Sequence, residues 1–450
     1  MTTEPSPVTA PEAPVTARDY YGHTGGRRLK AAGLLSLLWA GSIGLHYTAI
    51  GPWVGYGLAG LFGLHALRLL TAPAPPEPAP LEEEHREQWP TVALLVAAKN
   101  EEGVIGRLAE ELCSLDYPAG KLQVWIIDDA SSDRTPQILA DLQQRLPQLQ
   151  VLRREEGAKG GKSGALNACW QVSEGEFVAV FDADAEVPRN LLRQVLPQFH
   201  DPAIGAVQVR KAINNSDTNF LTRSQTAEMA VDAFFQQQRI AIGGLGELRG
   251  NGEVLRRAAV DRCGGFNEET ITDDLDLTFR LHLDGWRIGF QLFPAVGEEG
   301  VTRWKALWPQ RNRWAEGGYQ RFLDYWPWLI SGRLGPARTY DMAMFWVTQY
   351  FLPTVSIPDF IGGLLTGQLP IFGLIGITLF LLTILGIDQG LTRTRKEEPV
   401  SISKRVSRSL LGFLYMCHWL PVVAWNTHRM AFVAKRFKWV KTDHGHHSTV

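Results

Sequence analysis

Apolar sequence in this chain is crowded towards its two ends, while the middle alternates short apolar runs with mixed, helix-like stretches. That segregation points to a water-exposed α/β unit flanked by membrane-directed segments, since one hydrophobic core would be strained at 450 residues. Arg27, Arg28 and Lys30 precede Ala31–Ile50, which is about one span by the ~20-residue criterion. Trp53–Leu70 follows the tight turn Gly51-Pro52, so the pair reads as a transmembrane hairpin with a cytoplasmic N-terminus. Near the other end, Phe345–Gly367 is a span interrupted by Pro353, Pro358 and Asp359, and Leu369–Ile387 is a cleaner one. The basic segment Arg393–Arg408 belongs in the cytoplasm, which makes these two a second hairpin. Leu410–Asn426 is short and contains His418 and Pro421; an interfacial or re-entrant segment keeps the basic tail Lys435–Lys441 inside, with a fifth span as the alternative. His444, His446 and His447 belong to a disordered tail.

The divisions expected are residues 1–30 as a disordered cytoplasmic N-terminus, 31–70 as a hairpin, 71–89 as a Pro-rich charged linker and 90–300 as the catalytic domain. Residues 301–340 follow as interfacial helices, 341–390 as the second hairpin and 391–450 as a basic cytoplasmic region with a short apolar segment. The first 30 residues lack an apolar core, so no cleavable signal peptide is expected. A net charge of −2 argues against a nucleic-acid partner. Cys113, Cys169, Cys263 and Cys417 are far apart and show no metal-ligand spacing, so they read as free thiols.

From Pro90 onward, strands near Val92–Ala97, Val124–Ile127, Gln150–Arg153, Phe177–Phe181 and Ala203–Val209 alternate with helices, which implies a doubly wound, mainly parallel sheet. Thr135-Pro136 reads as an N-cap with proline at the first helical position. The run Phe177–Phe181 ends in Asp182-Ala183-Asp184. Ligands bind at the carboxyl ends of such strands. Two carboxylates there suit a hard divalent cation that takes its other ligands from water and phosphate. A solvated turn would have the same local sequence. The loop Gly157–Gly164 superficially resembles a phosphate-binding P-loop but lacks its spacing. Leu248–Gly252 reads as a Gly-containing loop, and Thr272–Leu283 as a helix opening with acids at its positive end. Thr302–Leu323 has the pattern of a helix lying in the membrane interface, with a packed amphipathic helix as the alternative.

Asn100-Glu101, Asp128-Asp129, Lys159 to Lys162, Asp182-x-Asp184, Thr272-Asp273-Asp274 and Gln310-x-x-Arg313-Trp314, in this order, resemble the family 2 glycosyltransferases. These are inverting GT-A enzymes with nucleotide-sugar donors, and those with the Gln-x-x-Arg-Trp motif include cellulose, chitin and hyaluronan synthases and ceramide glucosyltransferase. The resemblance covers about residues 90–325. It implies a donor site made by Glu101, Asp128, Asp129, Lys162, Asp182, Gln310 and Arg313, with Asp184 and Asp182 holding Mg²⁺ (Mn²⁺ as the alternative). It makes Asp274 the general base and places Asp273, Trp314 and Asn251 on the acceptor side. Asp273 stands where the family has Glu, which bears on acceptor contacts rather than on the base. Motifs and membrane layout together are similar to lipid-directed members that transfer glucose from UDP-glucose to diacylglycerol in the bilayer. The resemblance implies no protein partner, and an active site facing the cytoplasm. Two other readings stay open: a processive β-glycan synthase and a catalytically silent nucleotide-sugar sensor.

Overall fold

The computed structural model describes residues 26–394 and 401–433. The tail histidines, Lys435–Lys441 and residues 1–25 lie outside the described residues. Helix α1 (Arg27–Leu45) already includes part of the stretch expected to be disordered, because Arg27 donates to the carboxylate of Asp324 (Nε to Oδ1, 2.7 Å) and fixes the start of the helix. Helix α2 (Gly51–Thr71) follows.

The central unit runs β1 (Val92–Ala98), α3 (Ile105–Cys113), β2 (Leu122–Asp128), α4 (Thr135–Arg145), β3 (Leu149–Arg153), α5 (Gly161–Trp170) and β4 (Phe177–Phe181). It continues through α6 (Leu191–Val195), β5 (Ile204–Ile213), α7 (Phe220–Ala241), β6 (Glu253–Arg256), α8 (Arg257–Arg262), α9 (Asp273–Leu283) and β7 (Arg287–Glu298). The seven strands form one sheet in the order β3-β2-β1-β4-β6-β5-β7. Only β6 opposes its neighbours β4 and β5; the other adjacent pairs are parallel. The mainly parallel expectation therefore holds with one reversed strand, and β6 and β7 are the two strands that the sequence pattern does not reveal. The expected cap at Thr135 is displaced by one residue: Arg134 occupies the N-cap, and the Thr135 hydroxyl instead accepts from the Glu101 amide at 2.8 Å.

Side chains alternate across a strand. In β1, Val92, Leu94 and Val96 pack with α3 and α4, whereas Ala93 and Leu95 pack with Ala165, Leu166 and Cys169 of α5 and Leu277 and Leu281 of α9. Both faces are covered, as a sheet of this kind requires.

The chain closes with α10 (Trp304–Leu329), α11 (Gly335–Trp346), a π-helical turn at Val347–Phe351, α12 (Leu352–Thr366), α13 (Gly373–Thr394), α14 (Ile402–Met416) and α15 (Trp419–Phe432). Two of the described helices, α2 and α13, are long and apolar enough to cross a membrane. Ala31–Ile50 and Phe345–Gly367, expected as spans, do not meet that measure. Helix α1 packs against α12 and α15, and the stretch Leu410–Asn426 is broken between α14 and α15. Helix α10 is not a surface helix over most of its length: Arg311, Glu316, Gln320, Arg321 and Asp324 are all buried in it. Asp359 is accommodated inside α12 because it accepts from the amides of Ile371 (2.9 Å) and Phe372 (3.0 Å) and pairs with His46 Nε2 at 2.8 Å. Helix α13 lies tightly on α7, since a Cβ on Gly390 would collide with the Ala230 carbonyl and one on Gly386 would meet Phe235 and Val231 at about 3 Å. This Gly-x-x-x-Gly spacing lets helix backbones approach closely.

Beneath the sheet edge Asp276 ties three elements together. It receives Arg280 Nε (2.8 Å), Asn267 Nδ2 (3.0 Å) and the Tyr325 hydroxyl of α10 (2.8 Å), and Arg280 is fully buried. Asp276→Ala leaves an uncompensated buried charge and costs about 3–5 kcal/mol. Tyr325→Phe removes one hydrogen bond and costs about 1 kcal/mol. Thermal unfolding of detergent-solubilised protein measures the difference between the two variants.

Candidate functional site

The strand order reverses around β1: the chain steps outward through β2 and β3, then returns to β4 on the other side. Ligands bind outside the carboxyl ends of strands at such a point. The register puts Ala98 beside Asp128 and Val96 beside Phe181, so the ends of β1, β2 and β4 lie along one edge. Because β6 runs the other way, its first residue, Glu253, pairs with Val180 and lies at the same edge. One reversed strand thus brings the loop before it, Arg249–Gly252, to the carboxylates that follow β4.

A cavity of about 770 Å³ opens there. Glu101, Asp129, Lys162, Asp182, Asp184, Asp273, Asp274, Gln310, Arg313 and Trp314 all contribute to its wall, although they come from six separate segments of sequence. Two of the expected residues stand behind the wall. Asp128 is buried and accepts from the Ser131 amide at 3.0 Å, shaping the loop that carries Asp129. Asn251 is fully buried, and its Oδ1 accepts from the Asp182 amide at 3.2 Å, so it fixes the start of the Asp182–Asp184 turn. Asp129 itself accepts from Arg154 Nη1 at 2.7 Å, and the same nitrogen donates to the Gly161 carbonyl at 3.1 Å, joining the ends of β2 and α5.

Lys162 lies in the first turn of α5 and donates to Asp182 Oδ1 at 2.5 Å. Burial favours the uncharged forms of both groups, but the pairing prevails: the Asp182 carboxyl is held below its usual range and the Lys162 ammonium above its own. Asp274, in the first turn of α9, behaves oppositely. Burial, then the neighbouring Asp273 charge, raises it to about 6, against the lowering pull of the Leu275 amide, Lys162 and Arg249. Glu253, buried at the start of β6, is pushed well above the ordinary carboxyl range by burial and then by Asp274 and Asp273. One carboxyl is thus kept ionised beside a lysine while another is poised near neutrality, a separation that suits charge binding at the first and proton transfer at the second. Gly250 has φ +87°, and a Cβ there would sit 3.4 Å from Asp274 Oδ2. The positive φ is the feature that calls for glycine, and it sets the backbone of this loop beside the poised carboxylate.

Some wall and support residues carry little signal in the sequence. Lys211 of β5 pairs with Glu298 at 3.2 Å and lies 5.3 Å from the Trp314 ring. It follows Arg210 just past the expected strand Ala203–Val209, and nothing else in the sequence marks it. Arg249 bridges Asp232 and Glu247, both at 2.9 Å. Arg311, between Gln310 and Arg313, is 1% exposed; it stacks 4.1 Å above the Trp314 ring and donates to Gln310 Oε1 (3.0 Å), to Glu228 of α7 and to the Tyr415 hydroxyl of α14 (3.2 Å). It holds Gln310 and Trp314 in place from behind.

The family described as "Glycosyltransferase like family 2" matches residues 90–317. A β-monoglucosyldiacylglycerol synthase of Trichormus variabilis is 51% identical over 422 residues, covering 93% of this chain and 89% of the relative. Its namesake from Synechocystis is 50% identical over 433 residues, covering 95% and 90%. Among solved structures, the mannosyltransferase PcManGT from Pyrobaculum calidifontis, in complex with GDP-Man and Mn²⁺, aligns with a TM-score of 0.54 at 22% identity, covering 84% of this chain and 99% of its own. That likeness is one of fold.

Lysine keeps the charge of Arg311 but neither its planar fork nor its stacking face. Arg311→Lys lowers stability by about 1.5–3 kcal/mol, the worth of a lost hydrogen bond to a charged group. The midpoint of thermal unfolding measures it, and a shift in tryptophan fluorescence accompanies the loss of the guanidinium from Trp314.

Proposed function

The chain belongs to glycosyltransferase family 2, and we propose from this that it transfers glucose from UDP-glucose to the free hydroxyl of 1,2-diacylglycerol with inversion, giving β-monoglucosyldiacylglycerol. It is a glycosyltransferase of glycolipid synthesis, associated with the membrane in which its product resides. The observation that carries the lipid acceptor is half-identity, across nearly the whole chain, to synthases of that glycolipid. The cavity agrees with it, since the wall that contains Asp274 also contains Leu69 of α2 and Leu382 of α13. In this reading α2 and α13 anchor the enzyme in the bilayer, and the sheet edge faces the cytoplasm.

Glu101 and Asp129 take the nucleoside end of the donor, with Asp128 acting through the loop it shapes. Lys162, Gln310 and Arg313 take the diphosphate. Trp314, Asp273 and the Gly250–Gly252 loop, backed by Asn251, border the acceptor. Asp182 and Asp184 are the residues that would hold Mg²⁺ or Mn²⁺. Their fit is a fit of chemistry: Asp182 already binds one cation, the Lys162 ammonium, and two carboxylates suffice for an ion that completes its shell with water and phosphate. When bound, that ion neutralises charge on the departing diphosphate.

Asp274 removes the proton of the acceptor hydroxyl as its oxygen bonds to the sugar C1 from the face opposite the diphosphate. The C1–oxygen bond to UDP breaks, and the electron pair leaves with UDP towards Lys162 and Arg313. The elevated Asp274 makes its conjugate base stronger than an ordinary carboxylate, while leaving it ionised at neutral pH.

Membranes supplied with labelled UDP-glucose, Mg²⁺ and diacylglycerol give one monohexosyl lipid. Asp274→Asn lowers its formation by about 10²–10⁴-fold, the usual contribution of a general base. Lipid-free polymer as the labelled product would replace this reading with glycan synthesis. Only ionised Asp274 accepts the proton, so kcat/KM rises with pH through an apparent value of about 6 and is flat above it. A profile flat down to pH 5 would remove Asp274 from the role.

A further inference from the structure

The cavity is lined by more than the donor-site residues. Besides Asp274 and Trp314, its wall includes the charged residues Asp232, Arg239 and Arg321 and the apolar residues Phe62, Leu69, Leu379 and Leu382. Those last four belong to α2 and α13, the two helices apolar and long enough to cross a membrane.

Each of these helices has a second apolar face. On α2, Leu61, Leu64 and Leu67 are 52%, 54% and 58% exposed, while Phe62 and Leu69 are buried. On α13, Ile377, Leu381 and Leu385 are exposed by 59%, 53% and 45%, while Leu382 is buried and Leu379 half-buried. One face thus suits hydrocarbon and the other borders the cavity. With the exposed faces in hydrocarbon, the thickness of a single helix would separate the catalytic chamber from the bilayer.

Volume then limits how an acceptor can be held. A cavity of about 770 Å³ is within the ordinary range for one drug-sized ligand, roughly 300–1,000 Å³. It cannot enclose a nucleotide sugar and a whole two-chain lipid together. Only the glycerol and the first part of the acyl chains fit, and the rest must remain in hydrocarbon. Burial of apolar surface, at about 25 cal/mol per Å², favours leaving the chains there over drawing them into water.

We infer that the part of the cavity wall formed by α2 and α13 is the acyl-chain subsite of the acceptor: diacylglycerol enters sideways past α2 and α13, lays the ester-proximal part of its chains against Phe62, Leu69, Leu379 and Leu382, and so delivers its hydroxyl to Asp274 without leaving the bilayer. This rests on the acceptor being diacylglycerol. The close seat of Gly386 and Gly390 on α7 keeps the lower half of α13 fixed on the catalytic unit, which registers the subsite with the base.

The test uses the full-length enzyme in phospholipid vesicles with a diacylglycerol that carries a diazirine near the ester end of one chain. Irradiation followed by peptide mapping places the label on α2 and α13, and unlabelled diacylglycerol suppresses it. Leu379→Trp, which fills the half-buried part of the subsite, raises KM for diacylglycerol about tenfold or more, with UDP affinity by calorimetry unchanged. Label confined to α12, α14 or α15 in an active enzyme, or an unaltered KM in Leu379→Trp, overturns the inference and leaves the proposed reaction standing. A wild-type enzyme that makes no glucosyl lipid overturns the reaction itself. Should Leu379→Trp lose UDP binding through misfolding, the label map on the wild-type enzyme decides alone.

Discussion

Everything at the sheet edge depends on charge compensation among groups that could not be there singly. Asp182, Glu253, Asp273 and Asp274 converge from β4, β6 and α9, and Lys162, Lys211, Arg249 and Arg313 converge on them from four other places in the chain. Burial opposes the charge of Asp182, Glu253 and Asp274, and a buried carboxylate with no cation beside it tends to keep its proton. The array is balanced unevenly. Asp182 has a lysine in direct contact and is held below its usual range, whereas burial and then the Asp273 charge raise Asp274 to about 6. Two kinds of work, holding cationic charge and moving a proton, are thereby assigned to residues of nearly the same type by their surroundings alone.

Much of this arrangement is legible in the amino-acid sequence. The alternation of apolar runs with helical stretches marks β1 to β5 and their connecting helices, because buried parallel strands and their crossovers carry strong periodic signals. The spaced polar motifs are legible as a set, and of the site residues expected from the resemblance all but Asp128 and Asn251 reach the cavity wall. Those two differ for a physical reason. Sequence shows that a carboxylate or amide lies at a strand end, but not whether it faces the ligand or turns back to satisfy a loop amide, as Asp128 does for Ser131 and Asn251 for Asp182.

What is not legible belongs to long-range packing. Strand β6 is only four residues long and follows a glycine-rich loop, too short for a period to register. Arg311 looks like filler within its motif, and its partners are Glu228 and Tyr415, far away in sequence. Helix α10 has the look of a surface helix because its arginines and tryptophans resemble an interfacial pattern. Its charged residues are instead buried with partners: Arg321 with Glu247 at 2.8 Å, and Asp324 with Arg27. The apolar stretches raise a similar difficulty. Asp359 looks like a defect in a span until the amides of Ile371 and Phe372 are seen to need it.

The close contact of α7 with α13 also sets an order of events during synthesis. Helix α7 emerges between β5 and β6, but α13, which covers its Ala230 and Val231, emerges only near the end of the chain. Helix α2, which leaves the ribosome long before, is tied to α7 through the Gln238 amide and the Ala72 carbonyl at 2.9 Å. The nascent catalytic domain must therefore wait with one flank docked to an early segment and the other uncovered. Chains begin to fold as they are made, and uncovered apolar surface invites aggregation in that interval. For this protein the protection has to come from the membrane or from chaperones, until the last third of its own sequence arrives.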